Sequence, residues 1–246
     1  MTPRLAEIPA LILAGGAGTR LRSLVSDRPK PMASVAGRPF LELQIEWLRR
    51  QGVRRVVLCT GYLHPHIEAH FGDGRAFGVR IEYSVEASPL GTAGALKRAE
   101  RPIGTETFLA LNGDSFLDVD LAGLVRAHAE RAAAGTLVLS AVPDAREFGS
   151  VELDARGRIV RFDEKAQAQA GPGRVSAGIY CLETRLLDLV PPGRSASLER
   201  ETFPLALARG LPLFGLPAEG FFVDIGTPQG YGRMCQHLQQ KEQQQP

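Results

Sequence analysis

From the start of the chain to about Val142, short apolar runs alternate with stretches of helical periodicity. The runs "ALILA", "RVVLCT", "VRIEYSV", "TFLALN" and "TLVLSAV" have the length and β-type composition of buried strands. Between them, "FLELQIEWLRRQG", "HPHIEAHFG", "TAGALKRAE" and "LAGLVRAHAERAAAG" repeat apolar residues at three and four positions, the period of a helix with one buried face. The alternation predicts βαβ units around a mainly parallel sheet. Gly52 and Gly135 fall where helix C-terminal caps are expected, and Trp47 lies on an apolar stripe that points to the core.

Beyond Val142 the pattern changes. "SVELDARGRIVRF" reads as a hairpin around a short polar turn, so the sheet is expected to become mixed there. "RVSAGIYCL" follows as a strand, and "TRLLDLV" and "LERETFPLALARG" read as helical. "LPLFGLPAEGFFVDIGT" supplies two short strands before a last helix from about Thr227. One domain over 1–238 is predicted, with 239–246 ("QQKEQQQP") as a low-complexity tail that frays.

Composition narrows the classes of function. A net charge of +2 with dispersed Lys and Arg argues against a nucleic-acid surface, so an anionic partner should meet a local pocket. The three cysteines, Cys59, Cys181 and Cys235, form no Cys-x-x-Cys pair, which argues against a disulfide framework or a zinc site. Ile8–Ala14 is too short to span a bilayer and leads into no cleavage pattern, so a cytoplasmic protein without membrane partners is expected. A homodimer is the commonest assembly for such a chain.

Ligands of open α/β sheets bind beyond the carboxyl ends of the strands. That rule singles out the glycine turn after Leu13, "SVEASPLGTAG" after Tyr83, "NGDSFLD" after Leu111 and "VDIGT". The turn "GGAGTR" is neither a dinucleotide fingerprint, since Leu21 stands where the last glycine should be, nor a Walker A loop. It offers Gly15, Gly16 and Gly18 for close backbone approach, the Thr19 hydroxyl and the Arg20 guanidinium. Lys30, stiffened by Pro29 and Pro31 in "RPKPM", adds a second cation. Together these favour a polyphosphate site over a plain tight turn.

"LAGGAGTRL" and "RPKPM", followed in order by "SPLGTAGAL", "LNGDSF", "FDEK", "SAGIY" and "FVDIGTP", resemble the signatures of the sugar-1-phosphate nucleotidyltransferases, the NDP-sugar pyrophosphorylases. The stretch "LRSLVSDRPKPMASVAGRPFLE" is similar to the D-glycero-α-D-manno-heptose 1-phosphate guanylyltransferases within that family. The resemblance implies a Rossmann-like three-layer α/β/α fold of the GT-A-like kind, with a mixed, mainly parallel central sheet. It also implies a Mg²⁺-dependent reaction in which a sugar 1-phosphate attacks the α-phosphorus of a nucleoside triphosphate and pyrophosphate leaves. GTP and heptose 1-phosphate are the favoured pair. Mannose 1-phosphate with GTP, or a hexose 1-phosphate with UTP or CTP, is the alternative, and a non-catalytic NDP-sugar-binding protein is the alternative of another class.

Mapped onto this chain, the resemblance implies catalytic roles for Arg20, Lys30, Asp114 and Asp224, the two aspartates as metal ligands converging from distant positions. Leu13, Ala14, Gly15, Gly16, Gly18, Thr19 and Gly113 would contact the nucleotide, with Gly91, Thr92 and Ala93 cradling the base and Glu86 accepting from guanine. Glu164 and Lys165 would hold the sugar phosphate, and Ser176, Gly178 and Glu199 the sugar. Asp118 and Asp120 are read as turn and cap residues, Asp120 opening the helix "LAGLVRAH".

Overall fold

The alternating pattern resolves into strands whose two faces are both covered. The computed structural model describes residues 3–16, 28–145, 150–163 and 171–243. Its strands are β1 (Ala10–Leu13), β2 (Ser34–Val35), β3 (Arg38–Pro39), β4 (Arg55–Thr60), β5 (Arg80–Val85), β6 (Thr107–Asn112), β7 (Ser115–Phe116), β8 (Gly135–Val142), β9 (Ser150–Leu153), β10 (Ile159–Asp163), β11 (Gly173–Glu183), β12 (Leu213–Ala218) and β13 (Val223–Asp224). The helices are α1 (Phe40–Gln51), α2 (His64–Phe71), α3 (Gly91–Arg98), α4 (Glu100–Ile103), α5 (Leu121–Glu130), α6 (Phe203–Ala208) and α7 (Pro228–Gln243).

Seven strands form one sheet in the order β12-β8-β11-β6-β1-β4-β5. All neighbouring pairs are parallel except those of β11, which runs antiparallel to both β6 and β8. The period-two geometry of each strand sorts its residues between two cores. Ala10, Ile12, Val56, Leu58, Leu109 and Leu111 pack with α1, α2 and α5 residues such as Leu41, Ile45, Ile67 and Leu124. Leu11, Val57, Cys59, Phe108 and Ala110 pack on the other side with Leu96, Ile103 and Phe203 from α3, α4 and α6. Burial on both faces explains why these strands read as continuous apolar runs. A smaller cluster of Val35, Phe40, Val223, Ile225 and Met234 joins β2, α1, β13 and α7 beneath the strand ends.

The expected hairpin forms as β9 and β10, and the sheet becomes mixed at β11. Several local expectations are corrected. Gly52 does cap α1 with φ 103°, but α5 ends at Glu130, and Ala132 takes the left-handed conformation at φ 46°. Gly135 instead opens β8, where a Cβ would lie 3.0 Å from the Leu213 side chain. "TRLLDLV" forms a 3-10 helix over Thr184–Leu189, and "LERETFPLALARG" divides into a π turn at Leu198–Thr202 and α6, whose first turn holds Pro204. The α7 backbone continues to Gln243, past the expected 238/239 boundary, through Gln, Lys and Glu residues that favour helix.

Gly178 lies inside β11 at φ 72°, within an irregularity of the β8 register between Ser176 and Tyr180. A Cβ there would lie 2.6 Å from Asn112 Nδ2. Gly178→Ala should therefore lower stability by about 2 kcal/mol in urea denaturation, from left-handed strain together with the displaced Asn112 side chain.

Candidate active site

The carboxyl ends of β1, β4, β5 and β6 surround a cleft of about 980 Å³. Leu13, Gly15, Gly16, Glu86, Gly91, Thr92 and Asp114 line it, with Asn112, Tyr62 and Arg98 among residues that the sequence reading did not single out. Gly113 donates its N–H to the Leu13 carbonyl at 3.0 Å, so the ends of β1 and β6 meet behind the cleft. Ala14, Ala93 and Gly113 are buried and do not line it. Ala14 donates to the Cys59 carbonyl and Ala93 to the Ala196 carbonyl, so both backbones serve the scaffold. Gly18, Thr19, Arg20, Glu164 and Lys165 lie outside the described residues.

Three charged side chains meet where Asp114 borders this cleft, Asp224 lining a second cavity of about 680 Å³. β7 and β13 pair antiparallel, placing Asp224 opposite Ser115, and the Ile225 N–H donates to the Asp114 carbonyl at 2.8 Å. Two aspartates more than a hundred residues apart are thereby carried on adjoining backbones. Lys30 sits in a 3-10 turn, Lys30–Met32, and its ammonium pairs with Asp114 Oδ2 while lying 4.0 Å from Asp224 Oδ1. All three side chains are largely buried, with exposures of 10% for Lys30, 30% for Asp114 and 21% for Asp224. Asp224 Oδ1 also accepts the Gly226 N–H at 2.6 Å. A Cβ on Gly226 would collide with the Lys30 ammonium, and one on Gly230 with the Asp224 carbonyl. Both glycines are structural members of the site that the sequence reading missed, although "DIGTPQG" displays them.

Glu86 also lines the cleft. Its Oε2 accepts the Leu90 N–H at 3.1 Å, while Oε1 lies beside Gly15 and Gly61, 2.5 Å from where a Gly15 Cβ would stand. Burial raises the Glu86 pKa above the usual carboxylate value, opposed in part by the Leu90 amide and the Arg98 guanidinium. Burial, reinforced by the Glu86 charge, pushes the Cys59 thiol up to about 12, so it is no nucleophile. The turn that opens α3 is clamped to a distant segment. Ala196 donates to the Leu90 carbonyl at 2.9 Å, and Leu198 donates to Thr92 Oγ1 at 2.8 Å. Thr92 thus spends its hydroxyl on holding the turn.

Beside β6, β11 carries a hydrogen-bonded chain. Ser176 Oγ donates to the Tyr180 hydroxyl at 3.2 Å and accepts the Gly178 N–H at 3.2 Å, and the Tyr180 hydroxyl donates to Glu199 Oε1 at 2.9 Å. Burial first, and the Glu199 charge second, raise the Tyr180 pKa well above 10, which keeps the phenol a donor. The geometry joins Ser176, Gly178 and Glu199 through a residue the sequence reading took only as strand. Asp118 accepts the Trp47 indole N–H at 2.8 Å, and Asp120 stands at the start of α5 with its carboxylate 3.4 Å from Arg126 and no capping bond of its own.

The chain and its fold have counterparts among known proteins. The pattern of the family described as Nucleotidyl transferase matches residues 9–241 of the chain. The chain belongs to the nucleotidyl transferase family. Within it, the chain is 39% identical to a mannose-1-phosphate guanylyltransferase of Mycobacterium tuberculosis over 228 residues, 92% of this chain and 63% of that protein. It is 35% identical to a D-glycero-alpha-D-manno-heptose 1-phosphate guanylyltransferase of Aneurinibacillus thermoaerophilus over 230 residues, 94% of this chain and 98% of that protein. Among solved structures, HddC from Yersinia pseudotuberculosis complexed with GMP-PN superposes with a TM-score of 0.82 at 28% identity, covering 94% of this chain and 99% of that one. The shared fold is the three-layer arrangement with a mixed, mainly parallel sheet that the sequence predicts.

For this member of the family, the ammonium between two carboxylates carries a stability consequence. Lys30→Met should lower stability at pH 7 by about 1–2 kcal/mol, because Asp114 and Asp224 then repel across a partly buried gap. Urea denaturation of wild type and variant at pH 7 measures the loss.

Proposed function

We propose that this chain joins GTP and D-glycero-α-D-manno-heptose 1-phosphate to give GDP-heptose and pyrophosphate. The observation that carries the reading is the convergence of Lys30 and Asp224 on Asp114, which lines the same cleft as Glu86. A phosphate oxygen of the sugar 1-phosphate attacks the α-phosphorus of the triphosphate. The bond from that phosphorus to the bridging oxygen breaks, and pyrophosphate leaves with the electron pair. No side-chain nucleophile is required, since such transfers depend on alignment and on charge neutralisation.

The donor chemistry fits a magnesium ion. Among the described residues no group of three metal-ligating side chains occurs. Two carboxylates suffice, however, for an ion that takes its remaining ligands from phosphate and water. Asp114 and Asp224 already hold positive charge between them, in the form of the Lys30 ammonium. Magnesium held there supplies further neutralisation of the triphosphate. Lys30 binds phosphate oxygens when they enter, and Arg20, from the glycine turn, holds the departing pyrophosphate. Lys165 grips the phosphate of the sugar 1-phosphate, and Glu164 beside it belongs to the same subsite.

Guanine preference rests on Glu86. With Oε2 committed to the Leu90 amide, Oε1 remains as an acceptor facing the cleft, suited to the N1–H and 2-amino group of guanine. The network Ser176–Tyr180–Glu199 is the sugar-facing candidate. Two relatives at 35% identity named for the heptose phosphate favour that sugar, and the relative at 39% identity named for mannose 1-phosphate supports mannose as the second reading. No helix among the described residues is long and apolar enough to cross a membrane, and we place the protein in the cytoplasm, where nucleoside triphosphates are available.

The deciding experiment is a panel of GTP, ATP, UTP and CTP against heptose, mannose and glucose 1-phosphates, read by pyrophosphate release with and without EDTA. GTP with the heptose phosphate should be the best pair, and EDTA should abolish release. Absence of GTP-dependent release with heptose 1-phosphate overturns the choice of sugar, and its absence with mannose 1-phosphate as well overturns the guanylyltransferase reading. Glu86→Gln should reduce the GTP-over-UTP preference at least tenfold. Because protonation removes the acceptor and burial raises the Glu86 pKa, wild-type GTP affinity should weaken on acidification starting above the ordinary carboxylate range. The Gln variant should lack that pH dependence, as isothermal titration at several pH values would show.

A further inference from the structure

Helix α1 does more than cover the sheet. Gln44, Trp47 and Gln51 are spaced by three and four residues, which aligns them on one face of the helix. That face grips the segment from β6 to α5 that carries Asp114. Gln44 Nε2 donates to the carbonyls of Asn112 at 2.9 Å and Ser115 at 2.8 Å, one on each side of Gly113–Asp114. Further along, Trp47 Nε1 donates to Asp118 Oδ1 at 2.8 Å and Gln51 Nε2 to the Val119 carbonyl at 3.2 Å.

Gln44 stands apart from the other two. It is 1% exposed, and its Oε1 is buried without a hydrogen-bond partner among the described residues. Because carbonyls only accept, the amide must turn its NH₂ toward Asn112 and Ser115, which strands the oxygen. A buried acceptor left unpaired costs stability, so packing alone would favour an apolar side chain of similar volume. What the amide supplies and an apolar chain cannot is a planar fork that fastens both ends of the Asp114 turn at once. On its other side the same turn is fastened by Ile225 donating to the Asp114 carbonyl. The Asp114 carboxylate, whose Oδ1 also accepts from the Ser115 hydroxyl at 3.4 Å, pairs with Lys30, which in turn lies near Asp224.

We propose that Gln44 is a positioning residue: by pinning the carbonyls of Asn112 and Ser115 it sets the direction of the Asp114 carboxylate, and with it the affinity of the Asp114–Asp224 pair for a divalent cation. The inference rests on the proposed function for the meaning of that cation. The test compares wild type, Gln44→Met and Trp47→Phe for Mn²⁺ binding, read by water proton relaxation without nucleotide, and for steady-state pyrophosphate release. Gln44→Met should weaken Mn²⁺ binding about tenfold and lower kcat about tenfold, with KM for GTP within twofold of wild type. Trp47→Phe, which cuts the same loop loose at Asp118, should lower Tm and leave Mn²⁺ affinity unchanged. If Gln44→Met does not fold, Gln44→Asn, whose shorter amide reaches one carbonyl only, takes its place with a smaller weakening in the same direction.

Mn²⁺ affinity and kcat equal to wild type in the folded variant overturn the proposal. So does a wild-type protein that releases pyrophosphate yet binds no Mn²⁺. A wild type that binds Mn²⁺ in a Gln44-dependent way but releases no pyrophosphate from any substrate pair refutes the proposed function and leaves the positioning role standing.

Discussion

The site depends on one electrostatic arrangement, a lysine ammonium held between two carboxylates that the fold brings together and that would otherwise repel. The pairing of two-residue strands β7 and β13 creates it, and a cluster of apolar side chains from β2, α1, β13 and α7 supports it from beneath. Taking these charges partly out of water strengthens their mutual interaction and makes any misplacement costly. The glycines at 226 and 230 follow from that closeness, since neither position has room for a methyl group.

The Glu86 side of the cleft and the hydrogen-bonded chain on β11 use the same economy of side chains. On the Glu86 wall the carboxylate is wedged beside Gly15 and Gly61, so the glycine turn serves the acid as well as any phosphate that approaches it. On the β11 side, a buried phenol relays between a serine and a glutamate. In each case a polar group is fixed by another that is itself fixed. The result is a site whose geometry is set before a substrate arrives.

Much of this was legible in the chain. Strands buried on both faces announce themselves as apolar runs, and the rule that ligands gather at carboxyl ends pointed to Asp114 and Asp224 before their neighbourhood was known. The failures share a cause. β2, β3 and β7 are too short for periodicity to register, and β7 in addition pairs with β13, a partner distant in sequence. Gly135 was misread as a cap because a glycine after a helical run looks like a stop signal, whereas the constraint comes from Leu213 and Leu182 across the sheet. Ala93 was placed in the base pocket from its size, yet the Ala196 carbonyl holds it in the core. Tyr180 and Gln44 resemble ordinary strand and helix residues until the groups they touch are identified.

The reversed strand β11 has a consequence for the sheet as a whole. It lies as a seam between the parallel block β6-β1-β4-β5, whose carboxyl ends surround the cleft, and the pair β8-β12 on its far side. Because β11 bonds to both neighbours in the antiparallel manner, the parallel strands on its two sides form two separately registered blocks, joined by one strand that runs against both.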